Sequence, residues 1–142
     1  MIRTGYSYKE ICDKLKNEIH KVNSCVIINN LNNLINSGRI GRKMASFASM
    51  LGIKPVLGML DGELTVVSKV IGNNGSLKYI TDFIINKANK DTSICLIHHG
   101  DSLLFDQVRD FLEYNKYNYS ISKTGCVVGA YVGRGCVGVF FK

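Results

Sequence analysis

The sequence predicts an α/β domain of the α+β-like kind: two layers, with a mixed six-stranded β-sheet and helices packed mainly on one face. Three observations carry that expectation. Apolar spacing switches repeatedly along the chain between the helical period and the strand period. Asp61-Gly62 between two apolar runs marks a tight hairpin, because glycine supplies the positive φ such turns demand, so at least one strand pair is antiparallel. Several β-α-β steps accompany that hairpin, and a mixed sheet covered by helices is the economical way to bury both patterns.

In chain order, Ser7-Tyr8-Lys9-Glu10 reads as a capping box, followed by Ile11, Leu15, Ile19 and Val22 at helical spacing with Lys9, Lys14, Lys16 and Lys21 outside. A strand is expected over Cys25 to Ile28. Asn29 or Asn30 then caps a brief helix through Leu34 and Ile35 that Ser37-Gly38 ends, and a further helix places Met44, Phe47, Ala48 and Leu51 on one face until Gly52 stops it. Ile53 to Leu60 and Leu64 to Val70 are the hairpin strands. After the turn-rich Gly72-Asn73-Asn74-Gly75, Leu77, Ile80, Phe83 and Ile84 form a helical stripe. Ile94 to Ile97 is a buried strand, Leu104, Val108, Phe111 and Leu112 mark another helix, and Tyr117, Tyr119 and Ile121 alternate as a strand. Between Gly125 and Gly138 the chain holds five glycines, and only Val137 to Phe141 reads there as a closing strand.

The 142 residues read as a single domain, 1–142. A chain of this size buries roughly 70% of the surface its unfolded form exposes, so a core forms without staples. Hydrophobic residues make up 46% and charged residues 20%, with one proline, which excludes a disordered chain. The start of the chain lacks the apolar core of a signal peptide, no run is long enough to span a bilayer, and the five cysteines include no C-x-x-C pair, so the expected compartment is the cytoplasm with reduced thiols and no zinc.

The net charge of +7 is concentrated at one end, since residues 1–54 hold nine Lys or Arg against three acids and the remainder nine against eight. These cations lie along an amphipathic helix without interleaved stacking aromatics, and no helix-turn-helix or RNA-binding signature accompanies them, so nucleic acid is not the expected partner. A solvated face or a docking surface for an acidic protein is.

Gly133-Arg134-Gly135 does not open a helix after a strand, and Gly-Lys-Ser/Thr is absent, so close backbone packing is preferred to a nucleotide loop. His98-His99-Gly100-Asp101 falls at the carboxyl end of a strand, where open α/β sheets place ligands. Adjacent strand residues point to opposite faces, so the two imidazoles do not share a metal, and Asp101 or Ser102 is read as the N-cap of the next helix. Ser37-Gly38-Arg39-Ile40-Gly41-Arg42-Lys43 is the sharpest local feature, because three cations near a helix N-terminus oppose its dipole unless an anion or an acidic partner answers them. No paired carboxylates, activated serine or Cys/His arrangement emerges elsewhere, so a small-molecule kinase or hydrolase ranks last.

Ser37-Gly38-Arg39-Ile40-Gly41, Leu51-Gly52-Ile53-Lys54-Pro55-Val56-Leu57 and Asp61-Gly62-Glu63-Leu64 together resemble the DegV family in order and spacing. His98 with Gly100-Asp101 is similar to that family's strand-end segment, and the run from Gly125 to Gly135 is similar to its glycine-rich terminal signature. The resemblance covers nearly the whole chain. It implies a bacterial, cytoplasmic lipid carrier of the EDD fold, whose two α/β domains bind a long-chain fatty acid between them and present it to a separate ATP-dependent fatty acid kinase. This chain resembles the C-terminal domain only, a mixed six-stranded two-layer unit, so the expected partners are the missing N-terminal domain of the same protein, the fatty acid and that kinase. The isolated domain would have an uncovered surface available for self-association.

By motif, the resemblance implies an acyl tail near Met44, Phe47, Leu51, Ile53, Leu57 and Met59, with Arg39, Tyr131, Gly133 and Arg134 at the head group or mouth. It implies no cofactor, no metal and no catalysis by the chain itself. Three positions depart from the family pattern: Tyr131 stands where histidine is usual, Arg134 where proline is, and Ile71, Asn73 and Asn74 replace basic residues after the second hairpin strand. A phenol donates a hydrogen bond but stays neutral at pH 7. The competing expectation is a non-enzymatic interaction or structural domain, descended from such carriers, whose core has closed and whose basic face docks a protein or an anionic ligand.

Overall fold

The computed structural model describes residues 5–29, 31–39, 52–60 and 62–142. Helix α1 (Tyr8–Glu18) starts at the capping box: the Ser7 backbone N–H donates to Glu10 Oε2 at 2.8 Å and the Glu10 N–H donates to Ser7 Oγ at 3.4 Å. A 3-10 turn (Ile19–Lys21) leads into β1 (Asn23–Ile27). The short α2 (Asn32–Asn36) follows, then the hairpin β2 (Ile53–Leu60) and β3 (Glu63–Ile71). The remaining elements are α3 (Gly72–Lys87), β4 (Ser93–His99), α4 (Leu103–Tyr114), β5 (Asn118–Lys123), α5 (Cys126–Val132) and β6 (Cys136–Phe141).

The six strands form one sheet in the order β3-β2-β1-β6-β4-β5. Only β4 and β5 run parallel, joined by α4 as a crossover; the other neighbours are antiparallel, which makes the sheet mixed as expected. Gly62 takes φ 83° at the hairpin, the conformation its lack of a Cβ permits. A register shift between Val56 and Leu57 pairs Val56 with Ser68 and Leu57 with Val66, leaving Val67 as the extra residue of a bulge.

Alternation sorts the strands' side chains into two faces. One face carries Cys25, Ile27, Val56, Ile94, Leu96, Val137 and Val139, and against it pack Ile80 and Ile84 of α3 and Leu104, Val108 and Leu112 of α4. All five of those helix residues are buried to 1% exposure or less, each contributing about 1.5–3 kcal/mol of apolar transfer. The opposite face carries Val26 and Leu57, covered by Leu31, Leu34 and Ile35 around α2 and by Tyr131 and Val132 of α5. The two long helices α3 and α4 thus lie on one face and the short α2 and α5 on the other.

Several local expectations change. Residues 126–132 form a helix inside the five-glycine stretch where only the closing strand was expected, and Gly129 brings α5 onto the His99 ring, where any Cβ would collide. Gly72 to Gly75 form the first turn of α3 rather than a loop. Asn29 does not cap α2; its side-chain amide donates instead to the Arg134 carbonyl at 2.8 Å, and Leu31 stands at the N-cap position. Asn30 lies outside the described residues. Ser102 occupies the N-cap of α4 without a side-chain cap bond. The expected helix bearing Met44, Phe47, Ala48 and Leu51 also lies outside the described residues, as do Ile40, Gly41, Arg42, Lys43 and Asp61.

Candidate functional site

Two regions of the α2/α5 face hold the candidate site. At the carboxyl end of β1, the Arg39 guanidinium carbon lies 5.2 Å from the centroid of the Tyr131 ring. Arg39 is exposed and Tyr131 half-buried, so the pair presents a permanent cation and a phenol at the margin of an apolar cluster. Gly133 ends α5 at φ 74°, and the space where its Cβ would stand is 3.8 Å from Asn33 Nδ2. Arg134 is exposed and turns toward the end of β4, its Nε 3.4 Å from the position a Cβ would take on Gly100.

At the other end of β1, a groove of about 420 Å³ is lined by Ile19, His20, Val22, Ser24, Met59, Gly62 and Phe140. Ser24 opposes Phe140, and Val26 opposes both Leu57 and Gly138, so the groove opens on the same sheet face as Tyr131. Along β1 the two regions are about 13 Å apart, taking four residues at ~3.3 Å each. Ser24 Oγ accepts from the Met59 backbone N–H at 3.2 Å, which fixes the strand edge beneath the groove.

Of the residues expected along an acyl tail, Ile53, Leu57 and Met59 share this face of β2 by alternation. They differ in environment: Ile53 is half-buried, Leu57 is closed into the cluster at 1% exposure, and Met59 stands 52% exposed in the groove. Met44, Phe47 and Leu51 lie outside the described residues. Of the head-group set, Arg39, Tyr131 and Gly133 gather around α2 and α5, whereas the Arg134 side chain packs toward Gly100.

Ile19, Val22 and Phe140 were not singled out as binding residues from sequence. Ile19 and Val22 continue the apolar spacing of α1 into the 3-10 turn and the residue after it, yet remain 61% and 45% exposed instead of entering a core. Phe140 carried a readable signal: Cys136 to Phe141 is apolar on both faces, so the second face also needs cover.

The two adjacent histidines part as expected. His98 is buried on the α3/α4 face, stacked on Phe105 at 4.2 Å, and its Nδ1–H donates to the Gly100 carbonyl at 3.1 Å. His99 faces α5 and shares a 2.9 Å hydrogen bond with the Thr124 hydroxyl. Among the described residues no group of three or more His, Cys, Asp or Glu is placed to hold a metal ion, and no helix is long and apolar enough to cross a membrane. All five cysteines are free; burial pushes the Cys25 and Cys136 thiols up to about 12, so both stay protonated at neutral pH.

The architecture is therefore a mixed six-stranded α/β domain whose long helices α3 and α4 cover one sheet face, with a cation–phenol pair and an apolar groove on the other. A family model described as "Uncharacterised protein, DegV family" matches residues 1–142, and the chain belongs to the DegV family. A DegV domain-containing protein of Clostridium acetobutylicum is 31% identical over 138 residues, covering 96% of this chain and 50% of the relative. The fold is similar to the crystal structure of a fatty acid binding DegV family protein from Streptococcus agalactiae, with TM-score 0.82 and 26% identity over 98% of this chain and 50% of that one. It is also similar to the fatty acid kinase B3 protein of Streptococcus pneumoniae loaded with linoleic acid, with TM-score 0.83 and 17% identity over 99% of this chain and 51% of that one. The chain spans about half the length of the curated relatives it matches.

Proposed function

We propose that this chain binds a long-chain fatty acid as the C-terminal, acyl-enclosing half of a two-domain carrier, and presents the carboxylate to a separate fatty acid kinase without catalysing a reaction itself. The observation that carries the reading is the open groove at Met59 and Phe140 on the same sheet face as the Arg39–Tyr131 pair. The head group lies at Arg39, Tyr131, Gly133 and Arg134, where a guanidinium matches a carboxylate by charge and by its forked donors. The tail runs along Ile53, Leu57 and Met59 toward the groove, with Met44, Phe47 and Leu51 flanking it. Each methylene buried contributes about 0.8 kcal/mol, so tail contacts dominate affinity and the head group sets selectivity. The relative from Streptococcus agalactiae, described as fatty acid binding, supports the ligand class, and the Streptococcus pneumoniae protein supports the kinase partner.

The exposed apolar set of Leu15 on α1 with Ile19 and Val22 at the 3-10 turn that follows is the surface through which the chain meets its N-terminal domain or, in isolation, a second copy. The cytoplasm is the proposed compartment. Titration of the chain with saturated fatty acids and the matching alcohols tests the ligand class. Affinity rising with chain length and favouring the acid supports it; absence of binding to both series rejects it. A second reading, a closed-core interaction domain, is favoured by Leu57, which is 1% exposed within the cluster of Val26, Leu31 and Leu34.

A further inference from the structure

Helix α5 has seven residues, with glycines capping both ends and a third at its centre, and it leaves Val127 and Val128 exposed while carrying Tyr131 against the apolar cluster. Its placement rests on side chains from three other elements. Asn33 Nδ2, on α2, donates to the Ala130 carbonyl at 3.0 Å. That carbonyl belongs to the last turn of α5, where helical geometry leaves C=O groups without an intrahelical N–H, so Asn33 supplies the missing partner. Asn29, just past β1, donates to the Arg134 carbonyl at 2.8 Å, and the Gly135 N–H donates to the His99 carbonyl at 2.7 Å. At the helix's other end the His99 ring pairs with Thr124 and fills the space beneath Gly129.

We infer that Asn33, supported by Asn29, is a positioning residue for head-group recognition: it fixes the turn of α5 that bears Tyr131 against α2, which leads into Arg39. The inference rests on the fatty-acid reading for its ligand, but its geometry does not. The Asn33 amide sits one residue from Tyr131 along α5, and α2 ends at Asn36, with the Arg39 N–H donating back to the Leu34 carbonyl at 2.9 Å. Arg39 and Tyr131 thus hang from two short segments that the Asn33 amide bridges. Loss of that donor frees α5 to shift relative to α2, separating the guanidinium from the phenol while the apolar tail path along β2 stays intact.

Asn33→Ala removes the donor, Asn33→Asp keeps the shape but replaces the donor by an acceptor, and Asn33→Gln keeps an amide on a longer arm. Each is compared with the unaltered chain by titration with a long-chain fatty acid and its alcohol, and by amide hydrogen exchange. The alanine and aspartate variants are expected to lower the acid-over-alcohol preference by about fivefold to tenfold, the loss of one hydrogen-bonded constraint, with alcohol affinity within about twofold. The glutamine variant recovers part of the preference. Exchange at the Gly129 and Gly133 amides rises in the alanine and aspartate variants while exchange in β1 and β6 does not. An unchanged preference in variants that still bind the acid overturns the inference. If the unaltered chain binds neither ligand, the fatty-acid reading fails, and the positioning claim is then decided by exchange alone: unchanged protection of α5 in Asn33→Ala overturns it.

Discussion

Tryptophan placed at Met59 and at Leu57 separates an open acyl path from a closed core. Both residues lie on the same face of β2, two positions apart, yet Met59 is 52% exposed on the wall of a groove of about 420 Å³ and Leu57 is 1% exposed among Val26, Leu31 and Leu34. An indole at position 59 enters space that is already empty, so folding stability should change by no more than about 0.5 kcal/mol. At position 57 the same ring has no space to enter and should cost ~1–3 kcal/mol or more by overpacking. For binding, an indole that displaces two terminal methylenes forfeits about 1.6 kcal/mol, at ~0.8 kcal/mol each, or roughly fifteenfold in Kd for the longest acids. Shorter acids, which do not reach the groove, lose little. Urea unfolding and a titration series of saturated acids read both effects. A Met59→Trp chain that is as destabilised as Leu57→Trp, or that keeps the original length preference, refutes the placement of the tail.

Tyr131→Phe should weaken fatty acid binding by about 0.5–1.5 kcal/mol, the net worth of one hydrogen bond, and leave the fatty alcohol less affected; equal losses in a paired titration reject a head-group role. Gly138→Ala should destabilise by ~1–3 kcal/mol in urea, since its Cβ would sit 2.9 Å from Val26 Cγ2 and 3.1 Å from Ile97 Cγ1 in the middle of the sheet; an unaltered midpoint contradicts that packing. The pH dependence follows from the buried thiols Cys25 and Cys136. Their folded pKa is raised from 9.0 to about 12, so their contribution is complete below pH 9 and is lost as pH rises toward 12, where the unfolded chain already holds thiolates. Denaturation midpoints should fall across that window, and fall less in the Cys25→Ala, Cys136→Ala chain relative to its own value at pH 8.

The strongest sequence signals were those in which a local rule and the tertiary structure agree. The Ser7–Glu10 capping box, the hairpin glycine at Gly62 and the stripes Ile80–Ile84 and Leu104–Leu112 all specify their elements within a few residues. Helix α5 was not legible, because glycines at 125, 129 and 133 argue against a helix, while the contact that demands Gly129 is His99, thirty positions earlier. The stripe of α1 announced a helix but not its exposure, since periodicity reports an apolar face and is silent about what covers it. The groove was the least legible feature: Val22, Met59 and Phe140 meet only through the order β2-β1-β6, and no short-range pattern links them. Arg39 and Tyr131 were each singled out by family motif, and their meeting across α2 and α5 is a product of the fold.

The central claim is that this domain encloses an acyl chain, and the most direct test is mass spectrometry of the organic extract of the chain, purified from bacteria together with the other half of the two-domain carrier proposed for it. The account predicts one fatty acid per folded protein, with shorter acyl chains in the extract of a Met59→Trp control. A folded protein whose extract holds no fatty acid contradicts the carrier function and leaves the closed-core interaction domain in its place.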